Sequence, residues 1–157
     1  MERKLILEGI TRFQTKGREI TPQTLQIERW LEGFEWGWLW DLSPRGLLDS
    51  LAMGSTARTI LAAYERRTGT RLAAFLVLEP FRSLPTAHHL HALLQADHLD
   101  PDAFRQFSRR WGQTRVEEYR GGGGFASYLA RKIALGAAIL DVYGTPTKKE
   151  VDNVDWN

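Results

Sequence analysis

The chain has 157 residues, a formal net charge of +2 and no cysteine, which is enough length for one hydrophobic core of ordinary domain size. Without cysteine there is no disulfide and no thiolate metal site, so any metal must be held by His, Asp, Glu or carbonyl oxygen. No apolar run reaches the roughly 18 to 20 residues needed to cross a bilayer, and the opening MERKLILEGITRFQTKGREI has charges throughout and no apolar signal core, so the expected location is cytoplasmic.

Residues 1–33 read as a polar N-terminal extension in which Thr21 and Pro22 make an N-cap and first-turn pair for a short helix ending near Gly33. The run FEWGWLWDL at 34–42 has Trp36, Trp38 and Trp40 at period two, which predicts a first core strand with all three on one face. Ser43 and Pro44 repeat the cap pairing, and residues 44–67 hold helix formers up to a stop at Gly69, with a step at Met53, Gly54 and Ser55 that would divide the helix. RLAAFLVLE at 71–79 is a nearly continuous apolar run, as in a buried central strand. After a turn at Pro80 to Pro85, AHHLHALLQ at 87–95 suits an antiparallel neighbour, because so short a connection cannot carry a parallel crossover.

Asp100 and Pro101 open a helix to Arg110; 113–120 alternates as an outer strand with Val116 inward; Gly121 to Gly124 breaks the chain; and 125–140 returns to helical spacing. Strand, helix, strand, strand, helix, strand, helix is the split βαβ order of an α+β, ferredoxin-like or RRM-like domain. Its expected form is a central antiparallel sheet with helices on one face and an N-terminal helical extension. The domain would occupy 34–143, and 144–157 would be an acidic C-terminal tail.

His89 and His91 are two apart, so on a strand both imidazoles leave the same face while Leu90 points into the core. If the hairpin pairs around Leu84, Glu79 lies opposite His89, with facing Cβ atoms about 5 Å apart. Glu79, His89 and His91 then converge as two imidazoles and a carboxylate, a donor set suited to Mn²⁺ or a related divalent ion, with positions left for phosphate and water; Mn²⁺ or Mg²⁺ is the expected cofactor, and zinc is the less suited alternative. Half-buried histidines bonded to backbone are the structural alternative. His88 faces the other way and His98 falls in a loop. Tyr128 shares a helix face with Arg131 and Lys132, three and four positions on. Its phenol, with an ordinary pKa of about 10, needs such a cation or a metal to act as a nucleophile; Tyr64, Tyr119 and Tyr143 lack this setting.

The stretch Gly121 to Ala126 fits the loose G-x-G-x-x-A dinucleotide pattern, but too little chain follows for a βαβ unit. The glycines instead suit a sharp turn that exposes backbone N–H groups to phosphate. Arg105, Arg109, Arg110, Arg115, Arg120, Arg131 and Lys132 fall close together in sequence. They could neutralise a polyanion, with Arg109, Arg110, Arg115 and Arg120 as the phosphate-contact candidates, or form a solvated face with acidic partners.

Three segments in this order, WLWDLS, LEPFRSLPTAHHLHALL and FASYLARK, resemble the motifs of the HUH endonuclease superfamily, and within it the rolling-circle replication initiators with a single catalytic tyrosine. FRQFSRRWGQTRVEEY resembles the segment around the Trp-Gly of that family's fourth strand. The resemblance covers roughly 34–143. It implies that Glu79, His89 and His91 bind the metal and that Tyr128 attacks a phosphodiester of single-stranded or hairpin DNA at a replication origin. A covalent 5′-phosphotyrosine and a free 3′-hydroxyl would result, with strand transfer or rejoining later and a host helicase and polymerase as partners. The family usually has Tyr-x-x-Lys, and here Arg131 stands third and Lys132 fourth, so either could assist. The first motif reads Asp41-Leu42-Ser43 where the family has Thr-Leu-Thr. The alternatives are a non-catalytic ferredoxin-like module that grips single strands by stacking on its tryptophans, and a single-tyrosine transposase of the same superfamily.

Overall fold

A computed structural model of the chain describes residues 13–15, 18–121 and 124–150. The start of the N-terminal extension, the middle of the glycine run at 122–123 and the acidic end of the tail at 151–157 lie outside the described residues.

The elements in chain order are β1 (Phe13–Thr15), β2 (Arg18–Ile20), α1 (Pro22–Glu32), β3 (Trp38–Pro44), α2 (Ser50–Thr68), β4 (Leu72–Pro80), β5 (His88–Ala96), α3 (Pro101–Ser108), β6 (Gly112–Glu118), α4 (Phe125–Ala134) and β7 (Ile139–Tyr143). β1 and β2 pair with each other, and the other five form one sheet in the order β6-β3-β5-β4-β7 with every neighbouring pair antiparallel. From β3 to β6 this is the α+β, ferredoxin-like arrangement. Both crossover helices, α2 and α3, lie on one face, as a split βαβ unit with right-handed connections requires.

Strand alternation divides the sheet into two differently covered faces. Even-numbered positions, among them Trp40, Leu42, Leu76, Leu78, Leu90 and Ala92, pack against Met53, Ile60, Leu61 and Phe104 of α2 and α3. Odd-numbered Phe75, Val77 and Leu93 pack against Ile27 and Leu31 of α1 and Leu129 and Ala130 of α4. The helix of the N-terminal extension is therefore part of a second core: Thr21 caps it through Thr24 N–H, and its apolar side meets α4.

Four local expectations are corrected. Ser43 and Pro44 do not start a helix; Pro44 is the last residue of β3, and the cap is Asp49, whose carboxylate accepts from Ala52 N–H at 2.8 Å. α2 is continuous through Gly54, because the missing side chain lets the helix approach Leu78, whose Cδ1 would sit 3.2 Å from a Cβ there. The last helix stops at Ala134 rather than Leu140, since Gly136 takes the left-handed φ of 68° and the chain reverses to add β7 beside β4. Trp36 precedes β3 and joins the second core, while Trp38 and Trp40 belong to the first.

β6 is the other sheet edge, and it closes on β3 at Gly112, which pairs with Pro44. A Cβ at Gly112 would collide with the Ser43 carbonyl oxygen, so only glycine allows that approach.

Phe104 is fully buried and its ring meets those of Trp40 and Tyr64 edge-on at 5.1 and 5.0 Å. Phe104→Ala should destabilise the protein by about 3–5 kcal/mol in urea unfolding, whereas Leu47→Ala, at a position 77 % exposed, should stay within about 0.5 kcal/mol.

Candidate metal centre

The β4–β5 ladder places Glu79 directly opposite His89, and His91 lies two residues further along the same face of β5. Leu78 and Leu90 point to the opposite core, so the hairpin is polar on one face and apolar on the other. One carboxylate oxygen of Glu79, Oε2, is 3.0 Å from His91 Nε2 and 3.6 Å from His89 Nε2, and the two Nε2 atoms are 3.1 Å apart. Three atoms bearing lone pairs thus converge, and Glu79, His89 and His91 form a group that could hold a metal ion. Glu79 is 7 % exposed and both histidines are half-buried, so the donors are shielded from water but reachable.

Two further residues complete the setting. Asp41 on β3 lies opposite His91, and its Oδ1 accepts from His91 Nδ1 at 2.7 Å. A carboxylate only accepts, so this bond takes its proton from Nδ1; in the neutral ring that leaves the lone pair on Nε2, the atom beside Glu79 Oε2, for a metal. Arg115 on β6 holds the other oxygen of Asp41 through Nε at 3.0 Å and Nη2 at 2.8 Å. By contrast, the buried Nδ1 of His89 has no hydrogen-bond partner among the described residues; this ring is held by packing, with Phe81 at 4.6 Å and His91 at 4.8 Å between centroids.

Tyr128 of α4 joins the same cluster. Its hydroxyl donates to Glu79, 3.0 Å from each carboxylate oxygen, and its ring stands edge-on to His91 at 6.1 Å. Burial and then the bond to the Glu79 carboxylate push its phenol up to about 12. Lys132 lies 3.3 Å from Glu79 Oε1 and 5.6 Å above the Tyr128 ring, so of the two cations considered for this role it is Lys132 that reaches the cluster. Arg131 makes no hydrogen bond to Tyr128 or Glu79, and its buried Nε has no partner among the described residues. Burial raises the Glu79 carboxyl, but hydrogen bonds from Tyr128 and Lys132 and the charges at His91 and Lys132 outweigh it and hold the group below the usual carboxylate range. Asp41 is likewise lowered: burial opposes, and His91 and Arg115 prevail. The His89 imidazole is lowered by burial and by the charge at His91.

The four arginines considered for phosphate contact do not form one patch. Arg115 faces the cluster, and Arg120 is an exposed side chain 3.7 Å from Glu118. Arg109 and Arg110 are exposed at the end of α3; Arg110 lies over Phe107 at 5.3 Å, a ring belonging to the core on the opposite face of the sheet. Sequence reasoning does not single out Asp41 as a site residue, because its role depends on the β3–β5 register that sets it opposite His91, which no local pattern specifies. Among the described residues, no helix is long and apolar enough to cross a membrane. Comparison of the chain with protein-family models, with curated proteins and with solved structures gives no match.

The Asp41 carboxyl is lowered in the folded state, so its contribution to stability is present above its unfolded value of about 3.9 and is lost as pH falls through the folded value. Thermal melts between pH 7 and pH 2 should therefore show a flatter acid limb in Asp41→Asn than in the unsubstituted protein. Parallel acid limbs would contradict the assignment.

Proposed function

We propose that this chain is a metal-dependent nicking enzyme for single-stranded DNA that works through a covalent 5′-phosphotyrosine, in the manner of HUH-type replication initiators. The observation that supports this reading most strongly is the Tyr128 hydroxyl 3.0 Å from Glu79, inside the cluster formed with His89 and His91. A nucleophile and a metal-ligating triad on separate elements, brought within reach of one phosphate, is the arrangement that phosphoryl transfer to a tyrosine requires.

Two imidazoles and one carboxylate fit a divalent ion such as Mn²⁺ with open positions, and such an ion would polarise the phosphodiester as a Lewis acid. Tyr128 attacks the phosphorus; the Oη–P bond forms as the P–O3′ bond breaks. The phenol proton passes to water as the Oη–P bond forms, and the departing 3′ oxygen takes a proton from water, so that Glu79 stays ionised as a ligand. Lys132, beside both the ring and the carboxylate, offsets the negative charge that develops on the phenol oxygen. Rejoining is the reverse attack by a 3′-hydroxyl on the phosphotyrosine.

The purely binding alternative has little to work with. Stacking needs exposed rings on an open sheet, yet Trp36 and Trp40 are buried, Trp38 packs on the core, and helices cover both faces.

The test uses the full chain, Mn²⁺ and single-stranded oligonucleotides tiling both strands of the DNA that flanks its gene, hairpins included. A protein–DNA adduct that survives denaturation is expected, absent with chelator and in Tyr128→Phe, with His91→Ala slowing nicking by at least about 100-fold. Absence of an adduct on every strand, or an adduct that persists in Tyr128→Phe, overturns the proposal.

A further inference from the structure

The side chains facing the cluster from the neighbouring strands form one row across the sheet. Arg115 on β6 is paired with Asp41 on β3, and Asp41 with His91 on β5. Directly opposed residues in antiparallel strands share a face, and the contacts follow that row: guanidinium to carboxylate at 2.8 and 3.0 Å, then carboxylate to imidazole Nδ1 at 2.7 Å. The carboxylate has one oxygen for each neighbour, so Arg115 and His91 do not compete for it.

We infer that Arg115 is a positioning residue of the metal centre, acting through Asp41 to fix the tautomer and ring angle of His91. A cation on an outer strand next to a nucleic-acid site would ordinarily be assigned to phosphate contact. Here its Nε and Nη2 are both directed at Asp41, and Nε lies 3.7 Å from Glu117. Its work is therefore done before any DNA arrives.

The fork geometry matters. The guanidinium brings two N–H donors, Nε and Nη2, from one rigid plane onto the single oxygen Oδ2, and a lysine ammonium cannot reproduce that approach. Without this anchor the Asp41 carboxylate is free to rotate away from Nδ1, and His91 then divides between two tautomers, only one of which offers Nε2 to a metal. His89, whose Nδ1 has no partner among the described residues, lacks such a device there, so the pre-set ligand of the centre is His91. Because the Arg115 side chain is 59 % exposed, the charge part of its effect is screened by salt while the directional part remains.

This inference rests on the metal-binding half of the proposed function and not on nicking, so its test contains no DNA. Mn²⁺ affinity of the full chain is measured by calorimetry for the unsubstituted protein, Asp41→Asn, Arg115→Gln, Arg115→Lys and the Asp41→Asn/Arg115→Gln double variant. Long-range ¹⁵N spectra of the imidazoles are recorded in metal-free protein at pH 8. Asp41→Asn should weaken Mn²⁺ binding by about 10- to 100-fold, Arg115→Gln by about 10-fold, and Arg115→Lys by less than Arg115→Gln. The double variant should be no weaker than Asp41→Asn, since Arg115 acts only through Asp41. The spectra should show His91 protonated at Nδ1 in the unsubstituted protein and mixed between tautomers in Arg115→Gln. If Arg115→Gln leaves Mn²⁺ affinity and the His91 spectrum unchanged, or if its effect adds to that of Asp41→Asn, the inference fails. Mn²⁺ affinity unaffected by His91→Ala would instead overturn the metal centre itself.

Discussion

The pairing of β4 with β5 is the constraint on which the rest of the molecule depends. Side chains on a strand alternate, so a slip of one residue in this ladder would turn Glu79 away from His89 and bring Leu78 or Leu90 into the polar cluster. What prevents the slip is the opposite face, where Leu76, Leu78, Leu90 and Ala92 are sealed under α2 and α3. Each buried leucine side chain contributes about 1.5–3 kcal/mol, and a shifted register would expose several at once. The donors of the candidate metal site are thus held in place by residues on the opposite face of the sheet.

The same alternation explains why one sheet carries both a core and a polar site on a single face. α1 and α4 cover Phe75, Val77 and Leu93, toward one end of β4 and β5; beyond Val77 and Leu93 the same face turns polar at Glu79, His89 and His91. Tyr128 lies on α4, whose Leu129 and Ala130 are anchored in the second core. Packing of the N-terminal helix against α4 therefore bears on where the phenol sits, and through it the extension belongs to the architecture of the site.

Much of this was legible in the sequence, and the parts that were not share a physical cause. The H-x-H spacing, the glutamate at the end of an apolar run and the short connection between them specify a hairpin by local rules alone; strand parity puts His89 and His91 on one face, and the conditional pairing around Leu84 is the register the ladder adopts. The element order likewise suffices for the split βαβ topology. Local patterns failed where a tertiary contact decides. Ser43 and Pro44 have the composition of a helix cap, but the β-ladder to Gly112 claims them. Gly54 has the composition of a break, but close packing on Leu78 makes it an asset to a continuous helix. Asp41 and Arg115 are separated by 74 positions, and only the β6-β3-β5 order makes them partners. Of Arg131 and Lys132, helical spacing favours neither; the twist that brings Lys132 over the Tyr128 ring is set by which face of α4 is buried.

Gly112 gains significance from what lies three residues beyond it. The point where β6 comes closest to β3 fixes how far the outer strand is threaded along its neighbour, and that threading is what delivers Arg115 to Asp41. A methyl group there would wedge the two strands apart at their shared end, like a pebble in a zipper, while leaving every donor atom of the cluster in the chain. The lesion would present as a disordered candidate site with all its donor residues still in the sequence. A glycine with no functional group of its own thus acts as the origin from which the coordinates of the site are measured.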